Sequence, residues 1–291
     1  MNTYYPIVKR KLIAYAKIMR LHRPIGMLLL LWPTLWALWI AGEGKPSHSL
    51  VLIFVTGVLV MRSAGCVIND IADRHFDGKV ERTKNRPLVM GQLSTREALL
   101  LFAVLCFIAL LLLWPLNTLA RSLAIPAILL AVIYPFTKRY THFPQVILGF
   151  AFSWGIPMAF AAQTNSVPIS AWFLFLAACL WPIAYDTIYA MVDREDDKRA
   201  GIKSLAIFLG PWDTSMVAIL HANMMLLLLS MGFYLEMGWM YYVGLLSAVC
   251  IIAYLQGLIS QDDNTDSFFK AFQRSHWVGG VIFLGIFLSY S

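Results

Sequence analysis

The sequence predicts an all-α integral membrane protein with nine transmembrane helices around a central cavity. Three observations lead there. Hydrophobic residues make up 59% of the 291-residue chain and only 13% is Asp, Glu, Lys or Arg, with mean hydropathy +0.69. A soluble domain carries roughly twice that charged fraction, and a soluble globule of this length needs more polar surface. Apolar runs long enough to cross a bilayer as helices recur along the whole chain. Lys and Arg then fall on alternate sides of those runs. This composition excludes a cytosolic enzyme, a disordered chain and a disulfide-built secreted scaffold. Cys66, Cys106, Cys179 and Cys250 all lie inside apolar runs and form no CxxC, so neither a zinc site nor a disulfide framework is suggested. The net charge of +7 reflects where the basic residues sit on a membrane protein, not a nucleic-acid partner.

The first span, about 25–42, follows six cations: Lys9, Arg10, Lys11, Lys17, Arg20 and Arg23. Its apolar run is too long for a signal peptide and no clear small-residue cleavage site follows it. The second, about 50–68, ends in a loop with six more: Arg74, Lys79, Arg82, Lys84, Arg86 and Arg96. Spans 98–116 and 119–136 return to Lys138 and Arg139. Spans 144–162 and 171–192 return to Arg194, Lys198, Arg199 and Lys203, and spans 216–235 and 239–259 to Lys270 and Arg274. The ninth, 277–290, has 14 residues, about 21 Å of helix, and is expected to draw on residues before Trp277. Twenty of the 23 basic residues therefore share one side. Lys45 lies opposite, Arg121 near that opposite face, and Arg62 within the second span. The positive-inside rule makes the shared side cytoplasmic, with the N-terminus inside and Ser291 outside. Pro33, Pro126, Pro135, Pro157 and Pro182 predict kinks around a cavity.

Polar content is concentrated in the cytoplasmic loops 69–97 and 193–215, each led by an acidic motif. Asn69, Asp73 and Asp77 are spaced i, i+4, i+8, and Asp193 and Asp197 are spaced i, i+4, with Asp186 seven residues earlier. If the spans continue as helices, each set lies on one face. Carboxylates stacked in this way repel unless a cation lies between them. Hard oxygen ligands suit Mg²⁺, which keeps several waters and bridges to phosphate. A single such pair would read as a solvated helix end; two copies at the inner ends of two spans point to Mg²⁺ ions around a diphosphate. Lys79, Arg82, Lys84 and Lys203, with Lys138 and Arg139, are the candidate diphosphate donors.

Arg62 lies seven residues before Asn69, on the same helix face to within about 20° and roughly 10 Å deeper. A buried arginine in a span is costly and faces a polar cavity or a partner. It is either half of an ion pair with Asp186 or the anchor for the carboxylate of an acidic acceptor. Arg23 is either an interfacial side chain or a second contact for the same acceptor. His221 and Asn223 read as helix–helix hydrogen-bonding residues. The 120-residue offset between Asp73 and Asp193, repeated by Asp77 and Asp197, implies two pseudo-repeated four-helix units, about 25–136 and 144–259, plus the ninth helix, in one domain over 1–291.

Asn69-Asp70-x2-Asp73-x3-Asp77 together with Asp186-x2-Tyr189-Ala190-x2-Asp193-x3-Asp197 resembles the UbiA superfamily of membrane prenyltransferases, in order, type and spacing. Leu21-His22-Arg23-Pro24-Ile25-Gly26 and the segment Tyr134-Pro135-Phe136-Thr137-Lys138-Arg139 resemble its branch that prenylates 4-hydroxybenzoate in ubiquinone synthesis. The resemblance implies a helical horseshoe open to the cytoplasm and laterally to lipid. It implies Mg²⁺-dependent transfer of a long polyprenyl group from polyprenyl diphosphate to C3 of 4-hydroxybenzoate, at the bacterial inner membrane. It places Asn69, Asp73, Asp77, Asp193 and Asp197 at metal positions, with Asp73, Asp193 and Arg139 as the catalytic residues. Asp186 and Tyr189, with Arg62 and Arg23, fall to the acceptor. A menaquinone, haem or chlorophyll branch is the alternative acceptor class. A CDP-alcohol phosphotransferase is disfavoured because Arg74, not glycine, follows Asp73. A cation transporter would place its carboxylates near the bilayer midplane, whereas these lie at the cytoplasmic rim.

Overall fold

The computed structural model describes residues 4–78, 83–261 and 264–291. With no water to satisfy N–H and C=O groups in a bilayer, each apolar run closes its hydrogen bonds as a helix. The described residues form thirteen α-helices and no strand. They are α1 (Tyr4–Ile18), α2 (Ile25–Ala41), α3 (His48–Asp77), α4 (Thr95–Leu113), α5 (Thr118–Tyr140), α6 (Pro144–Ser153) and α7 (Gly155–Thr164). There follow α8 (Ile169–Ala200), α9 (Leu205–Leu209), α10 (Asp213–Tyr234), α11 (Trp239–Gln261), α12 (Thr265–Arg274) and α13 (His276–Ser289). Among them are seven helical stretches long and apolar enough to cross a membrane: α3, α4, α5, α6–α7, α8, α9–α10 and α11. The first and ninth expected spans are shorter helices, α2 with 17 residues and α13 with 14. A turn at Ser275 joins α13 to α12, the segment expected to extend it.

Of the five prolines expected to kink spans, Pro157 marks a break. The expected 144–162 span is divided at Trp154 into α6 and α7, and Pro157 follows the junction. Its ring has no N–H to offer the carbonyl four residues back and crowds that carbonyl. Pro33, Pro126, Pro135 and Pro182 lie inside helices that continue through them.

The core gathers around α8, which packs on α10, α6, α12 and α9. Leu174, Trp181, Tyr185 and Ile188 of α8 are buried there. Helix α2 bridges α7, α13 and α3, and its Trp36 Nε1 donates to the Gly279 carbonyl at 3.0 Å. Helices α11 and α13 meet backbone to backbone, since a Cβ on Gly244 would lie 2.8 Å from Gly285 Cα. Small residues at such crossings let membrane helices approach closely. By contrast Leu100, Phe107 and Leu111 of α4 and Ile125, Leu129 and Ile133 of α5 are exposed. A contiguous apolar surface of that kind suits lipid, not water.

Helices α3 and α8 have 30 and 32 residues, about 45 and 48 Å against a hydrocarbon core of roughly 30 Å. Each therefore has several turns to spare, and the acidic motifs occupy the last of them. Helix α1 buries Ala14 and Ile18 against Leu93, Ala98 and Leu105. Its Lys11 reaches Glu97 at 2.5 Å, the residue that forms a capping box with Ser94 at the start of α4.

Candidate active site

The C-terminal turns of α3 and α8 face each other across a pocket of about 180 Å³. Continuous helix puts Asn69, Asp73 and Asp77 on one wall and Asp186, Tyr189, Asp193 and Asp197 on the other. Tyr134 and Lys138 of α5, Gln145 of α6, Arg86 from the segment after α3 and Lys203 from the segment after α8 complete the lining.

Local chemistry fixes the ends of both motif helices. Thr83 Oγ1 donates to the Asp77 carbonyl at 2.7 Å, closing the last turn of α3. Gly201, at φ +70°, terminates α8, and the N–H of Ile202 turns back to the Asp197 carbonyl at 2.9 Å. Glycine suits this left-handed position because it has no Cβ to clash. The reversal brings the Lys203 N–H to the Lys138 carbonyl at 3.0 Å and its Nζ to the Tyr140 carbonyl at 3.2 Å, so the loop is stitched to the end of α5. Buried Gln145 accepts from the Leu205 N–H at 3.1 Å, fixing the start of α9. Arg194 pairs with buried Asp213 and ties α8 to α10.

The first motif's lining carboxylates, Asp73 and Asp77, are buried and compensated by cations. Asp73 is 2% exposed; Lys138 Nζ pairs with its Oδ2, while its Oδ1 is buried and has no hydrogen-bond partner. Asp77 is 6% exposed, with Arg86 Nη1 at 2.5 Å from its Oδ2. Burial pushes the Asp77 carboxyl up to about 6; Arg86 opposes the shift and the neighbouring Asp73 adds to it. Tyr189 stacks on Phe272 of α12, with ring centroids 4.4 Å apart, and walls one side.

The structure thus brings together Asn69, Asp73, Asp77, Asp186, Tyr189, Asp193, Asp197, Lys138 and Lys203. Other expected residues lie elsewhere. Arg139 is outside the lining: its guanidinium donates to the Ala72 carbonyl at 2.8 Å and covers the Phe136 ring, bracing α5 on α3. Lys84 and Arg23 are exposed and do not line the pocket. Lys79 and Arg82 lie outside the described residues. Arg62 is not in the lining; it packs over Phe152, its centroid contact 5.7 Å, with a buried Nε that has no hydrogen-bond partner. It forms no ion pair with Asp186 among the described residues. Sequence reasoning missed Arg86, Tyr134 and Gln145 as lining groups. Arg86 had been counted only as one charge among many.

A metal ion fits this donor set. The orphaned Asp73 Oδ1 offers a buried oxygen lone pair to the pocket. Among the described residues no three His, Cys, Asp or Glu side chains form a ready cage. Mg²⁺ is typically held by one or two carboxylates plus substrate phosphates, not by an all-protein cage.

The sequence profile of the UbiA prenyltransferase family matches residues 30–279. The chain belongs to this family. Similarity extends over nearly its whole length to curated relatives. This UbiA-family chain is 53% identical over 276 residues to the 4-hydroxybenzoate octaprenyltransferase of Coxiella burnetii, covering 95% of this chain and 96% of that one. The fold matches the apo structure of a UbiA homologue from Aeropyrum pernix K1, with TM-score 0.78 and 25% identity over 89% of this chain and 97% of that one. A UbiA homologue from Archaeoglobus fulgidus bound to GPP and Mg²⁺ shares the fold, with TM-score 0.70 and 18% identity over 94% and 99% of the two chains. The membrane character of the UbiA family and the seven long apolar helices together make this a multi-pass membrane protein.

Proposed function

We propose that this protein transfers a polyprenyl group from polyprenyl diphosphate to C3 of 4-hydroxybenzoate, a step of ubiquinone synthesis. The observation that carries the reading is the single pocket that joins both acidic motifs with Lys138, Arg86 and Lys203. Six Asp and Asn side chains on two facing helices, with three cations, around one small volume suit a metal-bound diphosphate. The acceptor is taken from the name borne by the Coxiella relative.

Asn69, Asp73, Asp77, Asp193 and Asp197 would hold Mg²⁺, which supplies charge stabilisation to the leaving diphosphate. Lys138 and Arg86 are already compensated by carboxylates, so they stand ready to turn to phosphate oxygens. As the allylic C–O bond breaks, its electron pair leaves with the diphosphate. The ring carbon ortho to the phenol then attacks the allylic carbon, and the C3 proton passes to an oxygen base at the same pocket. Tyr134 and Tyr189, the latter backed by Phe272, would provide aromatic walls that exclude water from the cationic carbon. Arg62, deeper on α3 with an unspent Nε, is assigned to the acceptor carboxylate. Asp186 and Tyr189 are placed beside the acceptor ring. The pocket lies between the motif-bearing helix ends and is lined by carboxylates and cations, which suits a diphosphate head group. A long prenyl tail would run out between helices into lipid.

In this reading α2 and α13 are also spans, giving nine in one domain, with two pseudo-repeated units that place one acidic motif each at the cytoplasmic face of a bacterial inner membrane. The N-terminus is inside and Ser291 outside. The test is a membrane assay with labelled 4-hydroxybenzoate and several polyprenyl diphosphates, with and without Mg²⁺. Labelled product is expected only when both diphosphate and Mg²⁺ are supplied. Transfer to a different aromatic acceptor, with none to 4-hydroxybenzoate, would overturn the assignment.

A further inference from the structure

Asp70 is a member of the first acidic motif that does not line the pocket. It is 2% exposed, and two arginines from distant segments converge on it. Arg20, beyond the end of α1, places Nη2 at 2.8 Å from Asp70 Oδ1 and 3.1 Å from Oδ2. Arg86, from the loop after α3, places Nη1 at 3.0 Å from the same Oδ1 and 2.5 Å from Asp77 Oδ2. One guanidinium nitrogen thus bridges a carboxylate outside the pocket and one inside it. Arg20 is itself fixed: its Nη1 donates to the Lys17 carbonyl at 3.0 Å and its backbone is left-handed, at φ +58°. That conformation is uncommon for a residue with a side chain, so the surrounding contacts must hold it.

A divalent cation at Asp77 would draw off the closer of Arg86's two partners and repel its guanidinium. Left with Asp77 alone, Arg86 would swing toward solvent just when the diphosphate needs a donor. We propose that Asp70, locked by Arg20, is a positioning residue that keeps the Arg86 guanidinium at the pocket to grip the diphosphate when metal takes Asp77. This assigns Asp70 to orienting a cation and not to ligating metal, and it rests on the diphosphate reading of the pocket. The Asp70–Arg20–Arg86 group also has one net positive charge, which faces the site where the anion arrives.

The test uses the full-length protein in detergent and compares wild type with Asp70→Asn, Arg20→Gln and Arg20→Lys. Binding of inorganic pyrophosphate is measured calorimetrically with and without Mg²⁺, and the KM values of both substrates are measured separately. Loss of one charge-assisted contact should weaken pyrophosphate binding roughly tenfold in Asp70→Asn and Arg20→Gln. The prenyl diphosphate KM should rise to match, while the 4-hydroxybenzoate KM stays within about twofold. Arg20→Lys, which keeps the charge but not the fork, should fall between. A purely structural role would lower the melting temperature without separating the two KM values, and that result overturns the proposal. Unchanged pyrophosphate binding overturns it too, as does tighter binding from the extra positive charge. If Asp70→Asn does not fold, the two Arg20 variants decide. If wild type binds pyrophosphate but does not prenylate 4-hydroxybenzoate, the acceptor reading fails while the binding comparison still judges Asp70.

Discussion

Asp73 is the carboxylate on which most of the chemistry converges, because it is buried, paired with Lys138 through one oxygen and open to the pocket through the other. Asp73→Ala removes a proposed metal oxygen from a helix whose packing face lies elsewhere, and prenyl transfer should fall by at least about 10²-fold. The protein should still insert in the membrane and elute as a single species. Near-normal turnover in that well-folded variant would falsify the metal role. A second residue-scale expectation concerns Gly26. A Cβ there would lie 2.6 Å from Arg62 Nη2 and 2.9 Å from Nε, contacts with the flexible end of a side chain and not with backbone. Gly26→Ala should therefore fold but displace the Arg62 guanidinium. It should raise the 4-hydroxybenzoate KM roughly tenfold for a lost charge-assisted bond, as should Arg62→Gln, and leave the prenyl diphosphate KM unchanged. Equal shifts in both KM values would remove Arg62 as the acceptor anchor. Asn69, Asp73, Asp77, Asp193 and Asp197 were legible because helical spacing and residue type are both written locally. Arg86 and Arg20 were not, because their meaning lies in sharing Asp70, a contact that crosses 50 residues for Arg20.

At the scale of elements, hydropathy read the long helices well and their interruptions less so. Helices α3 and α8 continue past their apolar runs because the motif residues prolong the helix instead of capping it. The division of α6 from α7 follows from Pro157, yet Pro33, Pro126, Pro135 and Pro182 have the same local sequence signal and leave their helices continuous. Whether a proline breaks a membrane helix depends on how neighbouring groups re-satisfy the freed carbonyl, which one sequence does not record. Helix α1, too charged to read as a span, is a surface helix held by Ala14, Ile18 and the Lys11–Glu97 pair. Helices α11 and α13 cross backbone to backbone. A Cβ at Gly244 would meet Gly285 Cα at 2.8 Å and the Val281 carbonyl oxygen at 2.9 Å, and neither backbone atom can rotate away. Gly244→Val should push α13 off, at a cost of about 1–3 kcal/mol. Thermal melting in detergent should fall by several degrees while kcat per folded enzyme stays near wild type, since both helices are remote from the pocket lining. An unchanged melting midpoint would show that the crossing has slack.

For the whole molecule, the charge distribution and the pocket make a joint statement about sidedness. In the nine-span reading, twenty of the 23 Lys and Arg residues fall on the side where α3 and α8 end in carboxylates. The turn between α7 and α8 lies at the other end of α8 from its motif. There Asn165 adopts φ +53° and is exposed. The positive-inside rule then predicts Lys84 in the cytoplasm and Asn165 outside, since three long apolar stretches, α4, α5 and α6–α7, separate them. The check is cysteine labelling in a background with Cys66, Cys106, Cys179 and Cys250 replaced. Lys84→Cys and Asn165→Cys are chosen because both side chains are exposed, so labelling reports sidedness and not burial. A membrane-impermeant maleimide should label Asn165→Cys in intact spheroplasts and Lys84→Cys only in inverted vesicles. A third site, Ser291→Cys, should behave like Asn165→Cys, because an odd number of crossings separates it from the N-terminus. Labelling of positions 84 and 165 from the same side would break the assignment of the α4, α5 and α6–α7 crossings. Ser291→Cys labelled with Lys84→Cys would instead mean that α13 lies in the interface, and the span count would fall to eight.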